Sequence, residues 1–304
     1  MRAIYTMLRV PNLLIIAFTF LILRFLIFIP IYSAYSAKPG MGEAEYMIMV
    51  IITMCIAAAG YIINDYFDVA TDRVNRPKQQ IIGKQITSSQ ARTTAFLFSL
   101  LVVFASIGLS IAMHDWLPAS LLILALVVAW WYAVHLKRTF LWGNIAVSCM
   151  SAGTLAMAWL IEIQNTTIND EGSGIITNIV AAISIFAFLL SLQREIVKDI
   201  EDMEGDKMIR CQSLPLVKGV PFTKTILLIL AAITFILLVA VQIYMFQFER
   251  NFAIAWLFFA VQIPLVFFVI KLTKAETKLD FHFLSRMLKW IMVGGIGSVI
   301  AGQF

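Results

Sequence analysis

The 304-residue chain is 61% hydrophobic and only 13% charged, whereas soluble globular domains carry about a quarter charged residues. Together with a mean hydropathy of +0.89, this excludes an ordinary soluble domain and points to a polytopic membrane protein. The net charge of +5 would suit nucleic acid only if the cations clustered on a soluble face. They lie instead in short segments beside apolar runs, so no nucleic-acid partner is expected.

A helix needs about 20 apolar residues to cross the hydrocarbon of a bilayer. Runs of that kind fall at 11–34, 46–65, 92–113, 116–134, 140–162, 175–197, 224–246, 252–271 and 286–303. They predict an all-α fold of about nine transmembrane helices. The first run follows Arg2 and Arg9 and has no small-residue cleavage site before Pro30, so it reads as a signal anchor. No soluble stretch separates the runs, and residues 1–304 are therefore expected to form a single domain. With the N-terminus inside, 20 of the 23 Lys and Arg residues fall in inner segments; Lys38 and Arg250 lie outside and Arg24 within the first run. That asymmetry predicts a multi-pass protein of the cell (inner or plasma) membrane with a cytoplasmic N-terminus. The connection 163–174 is polar, free of Lys and Arg, and reads as an outer loop.

Two acidic runs at the inner ends of the second and sixth helices carry the chemistry. The first is Asn64-Asp65-Tyr66-Phe67-Asp68, continuing to Asp72, Arg73, Asn75, Arg76 and Pro77. The second runs from Arg194 through Glu195, Lys198, Asp199, Glu201 and Asp202 to Gly205 and Asp206. Carboxylates near hydrocarbon are costly and are kept mostly where they act. At about 100° per residue, Asn64, Asp65, Asp68 and Asp72 share an arc of roughly 100° and could face one point. Glu195, Asp199, Asp202 and Asp206 fit within roughly 60°, unless Gly205 breaks the helix. Asp and Asn oxygens suit Mg²⁺, which keeps several waters and binds through a few carboxylates and substrate phosphate oxygens. Two such clusters predict Mg²⁺ held by Asn64, Asp65, Asp68, Asp72, Asp199, Asp202 and Asp206. Asp68, Asp72, Asp199 and Asp202 are the catalytic candidates, promoting loss of a diphosphate from a lipid. Arg73, Arg76, Lys137, Arg138, Arg194 and Lys198 are candidate donors to its phosphate oxygens. A solvated loop with helix-capping acids would explain either run alone, but not two of the same character on one side.

Other chemistry finds little support. Cys55, Cys149 and Cys211 have no CxxC partner and are expected to be buried, inert thiols. His114, His135 and His282 lack metal-ligand spacing, so no histidine site is expected. A transporter would place its acids near the midplane on broken helices, not at helix ends. A non-catalytic lipid-binding protein would have little use for so many carboxylates.

The motifs resemble those of the UbiA superfamily of intramembrane prenyltransferases. Its N-D-x-x-D-x-x-x-D run corresponds to Asn64, Asp65, Asp68 and Asp72, and its D-x-x-D-type run to Asp199, Asp202 and Asp206. Arg76-Pro77 and the Tyr132…Lys137-Arg138…Gly143-Asn144 segment match as well. The resemblance implies a helix bundle around a central cavity capped by cytoplasmic motif loops. It implies Mg²⁺-dependent transfer of a prenyl group from an allylic diphosphate donor to a lipid or aromatic acceptor, among membrane lipids. It adds Tyr132 and Asn144 to the substrate-binding candidates, and Tyr61, Phe67, Trp131 and Tyr132 as aromatics able to stabilise an allyl cation. The second run and Ser213-Leu214-Pro215 are most similar to the branch that attaches a geranylgeranyl chain to geranylgeranylglyceryl phosphate. Prenylation of an aromatic quinone precursor is the alternative, since Lys78-Gln79-Gln80-Ile81-Ile82 replaces the small-residue turn usual after Arg-Pro.

Overall fold

A computed structural model describes residues 2–75, 77, 80–209 and 211–303. Among them are nine helices long and apolar enough to cross a membrane, here α1 to α9: Val10–Ala34, Glu43–Phe67, Ser88–Met113, Leu117–Val134, Trp142–Ile163, Asp170–Glu201, Val220–Phe246, Asn251–Lys274 and Lys278–Ala301. All nine coincide with the runs read from hydropathy. The ends differ where polar turns extend a helix beyond its apolar stretch. α9 starts at Lys278 rather than 286, because Thr277 and Asp280 form a capping box ahead of the apolar residues. α6, with 32 residues, is roughly 48 Å long at 1.5 Å per residue. That exceeds the roughly 30 Å of hydrocarbon, so the carboxylates at its C-terminal end need not lie in lipid.

The helices fall into two compact units, Met1–Lys137 with Gly153–Val180, and Arg138–Ala152 with Ala181–Phe304. α5 and α6 each contribute a segment to both. In the first unit α2 packs against α3 and α4. The buried residues at these contacts include Ala58, Ala59, Ala91, Ala95, Ala129 and Ala133. Side chains this small let helix backbones approach closely, which drives association where lipid removes the hydrophobic incentive. Trp130 Nε1 adds a hydrogen bond to Ser99 Oγ across α3 and α4 at 3.0 Å.

Arg24 lies in a π-helical turn of α1, Leu23–Phe28, and is fully buried. Its guanidinium donates to Glu162 Oε1 at 3.0 Å, to Glu43 Oε1 at 3.1 Å and to the Met41 carbonyl at 2.6 Å. Glu162 Oε1 also accepts from Gly40 N at 2.8 Å. A side chain at Gly40 would bring its Cβ to 1.8 Å from the Glu162 carbonyl, so only glycine fits. This cluster clamps the α1–α2 connection onto the end of α5.

The second unit has one apolar core, in which Ile196, Val197 and Ile200 of α6 meet Leu227 of α7, Phe268 of α8 and Phe281, Leu284 and Leu288 of α9. α8 contains a second π turn, Phe258–Gln262. It accommodates Pro264, which cannot donate to the Ala260 carbonyl four residues back. Gly294 of α9 lies against that carbonyl, where an added Cβ would stand 2.7 Å from the oxygen.

The cysteines correct the sequence reading. None of the three is in a disulfide, but Cys149 is exposed and Cys55 and Cys211 are only partly buried. An apolar helix must turn one face to lipid, and hydropathy does not separate that face from the bundle interior.

Glu162→Ala leaves the buried Arg24 with Glu43 as its one carboxylate partner among the described residues, and breaking a buried pair costs up to about 3–5 kcal/mol. The Arg24→Met/Glu162→Leu double variant is expected to lose less than the sum of the single changes. Equilibrium unfolding in mixed micelles measures all three variants.

Candidate active site

The first acidic run begins on the last turn of α2. Asp68 caps that helix with φ −92° and ψ 1°, the bridge conformation in which many active-site residues sit. A short helix, Val69–Asn75, resumes at once. The ladder is not lost at the break: Asp68 N bonds the Asn64 carbonyl at 3.0 Å, and Asp72 N the Asp68 carbonyl at 2.8 Å. Asn64 and Asp68 meet side by side, Asn64 Nδ2 donating to Asp68 Oδ2 at 3.1 Å. The same oxygen accepts from Lys137 Nζ. Asp68 is buried, and the ammonium offsets the cost of its charge.

Asp65 is directed elsewhere, which corrects the expectation that all four members face one point. It is one residue, about 100°, round the helix from Asn64, and it pairs with Arg9 Nη2 at 2.5 Å. The Arg9 guanidinium in turn lies 4.9 Å from the centre of the Tyr61 ring. Arg9 was counted in the sequence only as a topology signal. Its partner lies 56 residues away, and no local pattern joins them. Asp72 stands one turn beyond Asp68 on the short helix. Arg73 is exposed there, and Arg76 lies outside the described residues, as do Lys78 and Gln79.

The second run repeats this local design. α6 ends at Glu201, and Asp202 has φ −98° and ψ 5° before the short helix Met203–Met208. The break is therefore at Asp202, not at Gly205, which is buried inside the short helix. Asp202 N bonds the Lys198 carbonyl at 2.8 Å and Asp206 N the Asp202 carbonyl at 3.1 Å. Asp199 accepts a hydrogen bond from Asn144 Nδ2 at 2.8 Å, with Asn144 buried on α5. Glu195 serves both nearby cations, Arg194 Nη1 at 2.9 Å and Lys198 Nζ at 3.0 Å. On the opposite side of α6, Glu201 pairs with His282 Nδ1 at 2.9 Å, a partner the sequence did not suggest.

The buried polar atoms in these runs that lack a hydrogen-bond partner include Asn64 Oδ1 and Arg194 Nε. A buried acceptor or donor left unmatched costs about 1–3 kcal/mol. Asn64 Oδ1 beside the Asp68 carboxylate is a pair of hard oxygen donors, and it fits a hard cation. Arg194 Nε is a free guanidinium donor beside an acidic run, and it fits a phosphate oxygen. Among the described residues no three His, Cys, Asp or Glu side chains gather into a protein-only cage. Mg²⁺ does not demand one, because waters and substrate phosphates fill most of its shell.

The remaining candidates divide by environment. Tyr132 is half-buried against the cluster of Ile62, Ile63 and Ala133. Arg138 is exposed, and its carbonyl accepts from Gln212 N at 3.1 Å. Among the aromatics proposed for cation stabilisation, the Tyr61 face is covered by Arg9. Trp131 is 57% exposed and stacks on His135 with centroids 4.9 Å apart.

Comparison with known proteins agrees with these motifs. The profile of the UbiA prenyltransferase family matches residues 12–291, and the chain belongs to that family. It is 30% identical to digeranylgeranylglyceryl phosphate synthase of Sulfurisphaera tokodaii over 84% of either chain. It is 32% identical to the synthase of the same name from Methanobrevibacter smithii, over 53% of this chain and 54% of that one, so it spans about half the length of that curated relative. A UbiA homolog from Archaeoglobus fulgidus, solved bound to GPP and Mg²⁺, superposes with a TM-score of 0.60 at 15% identity, over 98% of this chain and 99% of that one. At that identity the likeness is one of fold. The chain is thus a multi-pass membrane protein of the UbiA prenyltransferase family.

Asn144→Ala removes the amide donor from Asp199, a charge-assisted hydrogen bond of about 1.5–3 kcal/mol. If the bond serves catalysis, prenyl transfer falls roughly ten- to a hundred-fold, at 1.4 kcal/mol per decade. Steady-state kinetics beside a melting curve check this, with the melting temperature expected to move little.

Proposed function

We propose that the chain is one domain that transfers a geranylgeranyl group from geranylgeranyl diphosphate to geranylgeranylglyceryl phosphate, in a Mg²⁺-dependent reaction. The observation that carries this reading is Arg194, whose Nε is buried and unspent beside the second acidic run. An acceptor phosphate offers such a cation more charge and more acceptor oxygens than the single carboxylate of an aromatic acid does. The relatives named above as digeranylgeranylglyceryl phosphate synthases support the same acceptor.

Asn64, Asp68 and Asp72 in the first unit, and Asp199, Asp202 and Asp206 in the second, are each proposed as ligands of a metal ion. Asp65, paired with Arg9, holds the end of α2 in place. Bound Mg²⁺ would neutralise the diphosphate and make it a better leaving group. The bond between C1 of the prenyl chain and the diphosphate oxygen breaks, and its electron pair leaves with the diphosphate. The acceptor hydroxyl oxygen bonds to C1 and passes its proton to the departing diphosphate. Lys137, Lys198, Arg73, Arg76 and Arg138 supply positive charge for the phosphates. The distribution of basic residues supports placing both runs at the cytoplasmic face of the cell membrane.

Mass spectrometry of products tests the reading directly, with geranylgeranyl diphosphate offered beside geranylgeranylglyceryl phosphate or an aromatic carboxylic acid. A prenylated aromatic acid would overturn the proposed acceptor. Asp68→Ala and Asp199→Ala are expected to abolish turnover in protein that still folds in detergent, and EDTA to abolish it in the parent. Near-normal activity in any of the three would remove the metal reading.

Arg194→Ala is expected to raise the acceptor KM roughly ten- to a hundred-fold, for the loss of about 1.5–3 kcal/mol in a charge-assisted contact. The donor KM should barely move. The reverse pattern would place Arg194 on the donor diphosphate and favour an aromatic acceptor.

A further inference from the structure

We propose that His282 is a positioning residue for the second acidic run, holding the last turn of α6 so that Asp199 and Asp202 keep the orientation that metal and diphosphate need. The proposal rests on the reading of that run given above. Glu201 lies two residues beyond Asp199, about 200° round the helix, and so points away from Asn144. It is buried, with 7% of its side chain exposed. A carboxylate only accepts hydrogen bonds, so the 2.9 Å contact requires a proton on His282 Nδ1. The last turn of α6 is therefore held from two sides, by Asn144 on Asp199 and by His282 on Glu201. The next residue is Asp202, where the helix breaks. Final turns of helices fray unless something restrains them, and here the turn carries the proposed ligands.

The platform behind His282 is rigid. The capping box of Thr277 and Asp280 sets the start of α9. Asp280 Oδ2 also accepts from Glu276 N at 3.1 Å. Lys224 Nζ of α7 donates to the Ala275 carbonyl at 2.5 Å, just ahead of the box. Phe281 and Leu284, on either side of His282, are buried in the same core as Ile196, Val197 and Ile200 of α6. His282 itself is about half exposed, so replacing it removes the bond to Glu201 without opening a cavity. Because the bond is made through Nδ1, an asparagine amide can take its place, whereas glutamine extends its amide toward the position of Nε2.

The test compares His282→Ala, His282→Asn and His282→Gln with Asp199→Ala in the full-length protein. Mn²⁺ binding is followed by electron paramagnetic resonance in the presence of inorganic diphosphate, together with the Mg²⁺ dependence of turnover and the melting temperature. Loss of a residue that orients metal ligands weakens the metal by about tenfold or more. His282→Ala is expected to show that loss in both metal measurements, with the acceptor KM unchanged. His282→Asn should restore metal affinity and His282→Gln should not. Metal affinity within about twofold of the parent in His282→Ala, less than the tenfold expected, overturns the proposal if Asp199→Ala is inactive. So does a pattern in which all three variants merely lower the melting temperature alike. An active Asp199→Ala protein removes the reading of the run itself, and this proposal with it.

Discussion

Charge kept beside hydrocarbon must be matched on the spot, and that condition arranges most of this chain. An ion taken out of water loses several kcal/mol of solvation even after relaxation. The carboxylates near the helix ends are therefore found with cations or amides against them. Asp68 has Lys137, Asp65 has Arg9, Glu195 has Arg194 and Lys198, and Asp199 has Asn144. Three of these pairings join residues more than 50 positions apart, and two of the three, Arg9 with Asp65 and Lys137 with Asp68, act at the first run. They tie the ends of α1, α2 and α4 together at the level of the first run. The same requirement produces the Arg24 cluster near the other end of α2, where Glu43 begins the helix and Glu162 closes α5. One cluster holds a loop shut, while the others hold acidic side chains ready.

Both acidic runs solve a second problem in the same way. A helix that stops at the membrane surface leaves carbonyls unmatched, yet the acids must remain in line beyond the stop. Asp68 and Asp202 each adopt the bridge conformation, and a helix of six or seven residues follows. The hydrogen bonds from Asp72 N to the Asp68 carbonyl and from Asp206 N to the Asp202 carbonyl carry the ladder across the break. The chain bends without losing the four-residue step that keeps Asp68 above Asn64. This shared geometry is stronger ground for an internal repeat than the faint likeness of the two acidic segments in sequence.

Nine helices and both acidic runs were legible because hydropathy and charge are one-dimensional signals. What was not legible depends on direction and distance. A helical wheel treats the run as an unbroken helix, so it placed Asp65 with Asn64 and Asp68. The pull of Arg9 is invisible to it. In the second run glycine propensity offered Gly205 as a possible break, whereas the chain bends at Asp202. His282 carried no spacing signal, because its partner lies on a helix 81 residues away in sequence. Cys149 looked buried because every residue of an apolar helix looks buried to a hydropathy count.

The unmatched atoms sort function from structure more finely than the charges do. Gln193 Oε1 is buried without a partner, like Asn64 Oδ1 and Arg194 Nε. Its own amide nitrogen, however, is spent on Thr234 Oγ1 at 3.0 Å and on the Leu189 carbonyl, at the contact between α6 and α7. An orphan there is a modest cost of packing. Asn64 and Arg194 sit among like-purposed groups instead: an acceptor next to a carboxylate, and a donor next to an ammonium. An oxygen left unmatched beside a carboxylate, and a donor left unmatched beside an ammonium, are unfavourable while nothing of opposite sign meets them. Each would gain from its own partner, a cation at Asn64 and an anion at Arg194, as the proposed reading requires.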